Sequence, residues 1–204
     1  MTTLAPALPA APDRLAPTTP APAAPRIRPF SVDEYHRLAD LDFFPEGQRT
    51  ELIDGFILDM APFTPPHFFT INRIARLLGR VLPDDVIVGT QHPFRLNEAS
   101  EPEPDVLVLR PGASETAMPT AADILLLVEV SVTTEAFDRN VKVPRYAAAG
   151  VPEVWIVLPG LRAVDVFRRP GPGGYAEQTR VSEGGTVHFL GADLSVTDLL
   201  PPAA

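Results

Sequence analysis

The stretch Ile124-Leu125-Leu126-Leu127-Val128-Glu129-Val130 constrains the fold of this chain more than any other. Its apolar positions do not alternate with polar ones, which predicts a central strand buried on both faces. That strand ends on a carboxylate. Two further strand-like stretches also carry an acid: Glu51 in Thr50-Glu51-Leu52-Ile53-Asp54-Gly55, and Asp105 in Pro104-Asp105-Val106-Leu107-Val108-Leu109. An ionised carboxylate on a buried strand is costly unless something compensates it, and a hard divalent cation is the usual compensator. The chain therefore reads first as a metal-dependent enzyme.

Composition narrows the class. With 204 residues and 45% hydrophobic content the chain can build one good core, so we expect a single domain over residues 26–204. The first 25 residues hold seven Pro and eight Ala, too little apolar surface to offset the entropy of ordering them, and predict a disordered Ala/Pro-rich tail. That tail lacks the basic start and apolar stretch of a secretory signal, and no later run reaches the roughly 18 apolar residues of a membrane span. A cytoplasmic protein without a membrane partner is expected.

Cysteine is absent, which excludes disulfides, thiolate metal sites and cysteine nucleophiles. Carboxylate and histidine chemistry remains. The formal charge of −9 argues against a broad basic face for nucleic acid. Bound metal would neutralise part of it, and Arg73, Arg76, Arg80, Arg139, Lys142 and Arg145 can supply a local basic rim.

Along the chain, Ser31 caps a short helix over about residues 32–39. The Asp54-Gly55 pair between apolar segments predicts a hairpin that places Glu51 on its first strand. Phe69, Ile71, Ile74, Leu77, Leu78, Val81 and Leu82 follow helical spacing from Pro66, with His67 in the first turn. Residues 86–88 and 93–96 read as short strands. Residues 138–149 read as a helix, with Pro144 either at the first position of its main turn or as a break, and Gly150 as its stop. A strand at 154–158 follows, then an antiparallel meander from 164–168, 175–181 and 187–190, and a closing turn or helix at 194–200. The order of elements indicates an α/β fold with a central mixed sheet flanked by helices.

Asp105, Glu129 and Lys142 together offer two carboxylates for a cation and an ammonium group to orient water or offset charge on a phosphate, parts that suit phosphodiester hydrolysis. Mg²⁺ keeps several waters and needs only one or two protein carboxylates. Taken singly, each residue has a plainer reading. Asp105 suits a turn after Pro104, Glu129 a strand-end acid reaching solvent, and Lys142 a solvated helix lysine paired with Asp138. Glu101 and Glu153 read as surface charges.

Six segments in order carry more weight than any one: Glu51-Leu52-Ile53-Asp54-Gly55, Pro66-His67, Glu103-Pro104-Asp105, Val128-Glu129-Val130-Ser131, Asp138 with Lys142 and Tyr146, and Ala149-Gly150-Val151-Pro152-Glu153-Val154-Trp155-Ile156-Val157. Over residues 30–169 the chain resembles the Uma-two family of restriction-type endonucleases, within the PD-(D/E)xK nuclease superfamily. The resemblance implies a restriction-endonuclease-like core with a Mg²⁺ or Mn²⁺ site at the splayed end of the sheet. Asp105 and Glu129 are then metal ligands, Glu51 a third acid binding the metal or its water, and Lys142 the catalytic ammonium group. His67 alone suits a helix-start cap or a core-facing imidazole, and the resemblance adds a contact to phosphate or water. Tyr146 has spacing that suits packing of the helix onto the sheet, with its hydroxyl near Lys142 on the substrate side. Ser131 departs from the superfamily pattern, standing where its lysine usually lies, so that Lys142 on the next helix supplies the charge. Leu158 stands where the family often has an aspartate.

The chain thus reads as a divalent-metal-dependent DNA endonuclease. A nuclease-fold binding module that no longer cuts, or a metal phosphoesterase acting on small nucleotides, is the alternative. Because duplex cutters often pair two sites by two-fold symmetry and the meander offers an edge, a homodimer is expected.

Overall fold

A computed structural model describes residues 27–62 and 64–202. The tail expected over residues 1–25 lies outside them. The apolar run forms β5 (Ile124–Val130), the inner strand of a six-stranded mixed sheet. Its neighbours are β4 (Val106–Leu109), antiparallel, and β6 (Glu153–Leu158), parallel. β3 (Ile87–Thr90) completes one side, while β7 (Ala163–Gly171) and β8 (Gly174–Ser182) complete the other, in the order β3-β4-β5-β6-β7-β8.

Both sheet faces are covered, which is why β5 lacks alternation. On one face Leu126, Val128 and Val130 pack with Trp155 against α2 (Pro65–Val81) and α5 (Val196–Leu199). On the other, Leu127 and Ile156 pack against Phe94 and against Val143 and Tyr146 of α4 (Val143–Ala148). Side chains alternate along a strand, so Glu129 faces the α4 side with Leu127.

A parallel β5–β6 pair requires a crossover. Here it is helical: α3 (Glu135–Phe137), a π-helical turn at Asp138–Lys142, then α4. The Val143 N–H bonds the Asp138 carbonyl five residues back. Pro144, second in α4, has no N–H for the Asn140 carbonyl and its ring would crowd that oxygen in a regular helix, so the widened turn resolves the conflict. Asp138 and Lys142 both turn inward and are buried.

The predicted hairpin is β1 (Thr50–Ile53) with β2 (Phe56–Asp59), pairing Glu51 with Leu58. Asp54 and Gly55 have φ of 52° and 78°, the signs of a type I′ turn. The hairpin is tied down at its tip, where Gly55 N–H donates to Ala99 O at 2.6 Å and Phe30 N–H donates to Gly55 O at 3.0 Å. Beside that tip, α1 (Val32–Asp40) starts at the capping box of Ser31 and Glu34.

Three expectations change on contact with the structure. Residues 93–96 make only an isolated bridge at Arg95, because Pro93 lacks a donor and the chain folds back through the Asn97–Ser100 turn. The meander divides: β7 and β8 extend the central sheet, whereas β9 (Thr186–Phe189) pairs with β10 (Ala192–Ser195). Burial decides this, since Val187 and Phe189 cover Trp155 instead of lengthening the exposed, polar edge of β8. Glu101 and Glu153 are buried, not surface charges: His36 meets Glu101 at 2.8 Å, and Glu153 accepts from Trp155 Nε1 at 2.6 Å and twice from Arg168 at 2.8 Å.

Gly55 is required twice over, by its positive φ and because a Cβ there would lie 2.3 Å from Pro29 Cβ. Gly55→Ala should lower unfolding stability by about 2–4 kcal/mol, from left-handed strain plus overpacking. Urea denaturation checks this, and an unchanged midpoint would contradict it.

Candidate active site

Val106 pairs with Val128, so the flanking residues Asp105 and Glu129 meet at one end of the sheet. Asp105 is fixed there by its own side chain: Oδ2 accepts from the Val130 N–H at 2.7 Å and meets His67 Nε2 at 3.1 Å. His67 comes from the first turn of α2. Glu129, 3% exposed, accepts from the Tyr146 hydroxyl at 2.7 Å, and Lys142 Nζ lies 3.5 Å from the same oxygen. Glu51 reaches in from β1: its Oε2 lies 3.0 Å from Lys142 Nζ and accepts from the Glu103 N–H at 3.3 Å. The hairpin, the two central strands and the π turn thus deliver one residue each to a single buried cluster.

The charges there are unbalanced. Burial pushes the Glu129 carboxyl well above the ordinary carboxylate range; Lys142 pulls it down, and Asp138, Asp105 and Glu51 push it up. Burial lowers the Lys142 pKa, but Glu129, Glu51 and Asp138 more than reverse that, so the ammonium form is held firmly. Six acids (Glu51, Asp59, Glu103, Asp105, Glu129 and Asp138) line the surrounding pocket, against two permanent cations, Arg49 and Lys142, with His67 as a third, titratable one. Arg49 pairs with Glu103 at the rim.

Such a site has room for further positive charge, and its donors are oxygens, the ligand type of Mg²⁺ and Mn²⁺. The residues fit a hard divalent cation held by few carboxylates and completed by water. Among the described residues no three acidic or imidazole side chains already converge as a ligand shell. Lys142 instead bridges Glu51 and Glu129.

Of the other residues singled out from the sequence, Ser131 donates to Asp138 Oδ2 at 2.6 Å, and Thr134 donates to the same oxygen at 2.7 Å. Ser131 therefore anchors the π turn that carries Lys142. Tyr146, expected on the substrate side, is fully buried and absent from the pocket lining, because its ring packs near Phe94 (centroids 6.0 Å apart) while its hydroxyl braces Glu129 from behind. His67 does line the pocket. Sequence reasoning missed Arg49, Glu103 and Thr134. Glu103 had a signal in its place two residues before Asp105; Arg49, far from its partner in sequence, had none.

The pocket encloses about 410 Å³. A second depression of about 410 Å³ beside Glu153 and Arg168 holds none of these groups, and its one carboxylate is already bonded by Arg168 and Trp155. Asp54 accepts from Arg145 Nε at 2.8 Å, locking the hairpin tip to α4 and so Glu51 to Lys142.

Comparison with known proteins agrees with this architecture. The family model Uma2, described as "Putative restriction endonuclease", matches residues 32–197. The crystal structure of a "putative nuclease belonging to DUF820" from Anabaena variabilis ATCC 29413 shares the fold, with a TM-score of 0.63 at 17% identity, covering 84% of this chain and 97% of that one. No curated protein matches the sequence.

The hydrogen bond to Asp105 raises the His67 pKa above the ordinary histidine value, against the opposing pull of burial. A raised folded-state pKa means the pair stabilises the fold fully below the unfolded imidazole value of about 6.5 and loses that contribution as pH rises through the folded value. Proton NMR should find His67 titrating above that unfolded value, and falling toward it in Asp105→Asn. A His67 midpoint that the substitution leaves unmoved would contradict the pairing.

Proposed function

Because this chain belongs to the Uma2 family of restriction-endonuclease type, we propose that it is a divalent-metal-dependent endonuclease that hydrolyses phosphodiester bonds of DNA. The observation that carries the proposal is the meeting of Asp105 and Glu129 at the joined ends of β4 and β5, with the Lys142 ammonium 3.5 Å from Glu129. Asp105 and Glu129, with Glu51, would hold Mg²⁺ or Mn²⁺. When bound, the ion supplies positive charge to the phosphate oxygens and acidifies its water. Lys142 orients the attacking water and offsets charge growing on the phosphate. The water oxygen bonds to phosphorus and gives up its proton to solvent while the bond to the leaving sugar oxygen breaks, that oxygen taking a proton from solvent. Tyr146 holds Glu129 in place, and His67 holds Asp105 while presenting its ring to the pocket.

Removing a residue with such a role is expected to cost activity beyond any loss of stability. Asp105→Ala and Glu129→Ala should each lower Mg²⁺-dependent cleavage of a panel of DNA substrates by about 10³-fold or more, and Lys142→Ala by about 10²–10³-fold. Glu129→Gln, checked by circular dichroism, keeps the Tyr146 hydrogen bond and separates lost chemistry from lost folding. Wild-type rates in both alanine variants would refute the assignment.

A further inference from the structure

The pocket restricts what can reach these groups. Asp105, Glu129 and Lys142 are each at most 9% exposed, so the reacting atoms sit on its floor. The lining also carries apolar side chains, Leu58, Met60 and Pro62 from the hairpin side and Val132 and Phe137 from the crossover. Among the described residues no run of lysines and arginines borders the floor. Arg49 is engaged by Glu103, and Lys142 by Glu51 and Glu129. Tight duplex binding draws on several phosphate contacts at once, and this lining offers few.

Resting on the nuclease reading, we infer that the substrate is an unpaired nucleic-acid strand, one phosphate of which enters the pocket with its nucleoside against the apolar side chains of Leu58, Met60, Pro62, Val132 and Phe137. The volume of about 410 Å³ falls in the range of sites that enclose a small molecule and suits one nucleotide rather than a double helix. A duplex holds its bases stacked and paired, and bringing one nucleotide to buried groups would require unpairing and flipping it. An unpaired strand has met that cost already. Its apolar base and sugar faces match these apolar side chains, and its one inserted phosphate meets Lys142 and the cation of the proposed function. On α2, Phe68 and Phe69 follow the pocket residue His67; both are exposed, their rings 5.4 Å apart edge to face, and they offer aromatic surface to a neighbouring base. The chain's net charge of −9 fits a substrate held by stacking and enclosure more than by a broad electrostatic face.

The test uses the full chain and one labelled oligonucleotide presented as a single strand, as a perfect duplex and as a duplex with an unpaired loop. With Mg²⁺, the single strand and the loop should be cut at least about tenfold faster than the duplex, and Glu129→Gln protein should bind the single strand more tightly by a similar factor in fluorescence anisotropy. Val132→Asp, at a half-exposed position, should weaken single-strand binding about tenfold while Mn²⁺ binding by calorimetry is unchanged. Equal or preferred binding and cutting of the duplex would overturn the inference, as would an unaltered affinity in Val132→Asp. A dinucleotide cut as fast as the single strand would overturn it too, in favour of small nucleotides. Selective single-strand binding without metal-dependent cleavage would uphold the strand assignment and defeat the nuclease reading; metal-dependent cutting confined to the duplex would do the reverse. Failure to bind or cut any of them would defeat both.

Discussion

Lys142, buried between Glu51 and Glu129, is the interaction on which the rest of the site depends. A lysine this deep is unstable unless carboxylates surround it, and a carboxylate as deep as Glu129 is unstable unless positive charge and a donor reach it. Each solves part of the other's problem. The solution is incomplete, because one ammonium faces several acids and Glu129 is still driven toward its neutral form. A site built this way favours additional positive charge, and its oxygen donors select a hard ion over a thiophilic one.

The fold delivers these groups through two kinds of precision. Asp105 and Glu129 are adjacent because β4 and β5 are in register, and a shift of one residue would turn either acid to the opposite face. Lys142 is placed by the π turn, whose widened path accommodates Pro144 and whose start is tied down when Ser131 and Thr134 donate to Asp138. The Lys142 ammonium thus comes from the crossover, and Ser131 at the end of the strand helps hold it there through Asp138. Arg145, bonded to Asp54, extends the same brace to the hairpin that carries Glu51.

Much of this was legible in the sequence where local physics decides the outcome. The uninterrupted run at residues 124–130 identified the central strand, and Asp54-Gly55 identified the hairpin through the turn it demands. The match to the Uma2 family runs from residue 32 to 197, past the C-terminal end of the 30–169 segment whose motifs carried the resemblance. What stayed hidden was set by distant partners. Glu101 and Glu153 looked like surface acids because His36 and Arg168, which allow their burial, lie 65 and 15 residues away. Arg49 and Glu103 are separated by 54 residues. Tyr146 was recognisable as a member of the cluster but not as fully enclosed, since burial depends on Phe94 arriving from a segment without regular strand pairing. The π turn was hidden because its residues have ordinary helical character, and Pro144 alone allowed two readings.

The central claim is that Asp105 and Glu129 share one cation at the joined ends of β4 and β5. Anomalous diffraction from a crystal soaked in Mn²⁺ tests it most directly. The account predicts a manganese peak in contact with carboxylate oxygens of both residues. A map without a peak there, with Lys142 still the sole positive partner of Glu129, would contradict it.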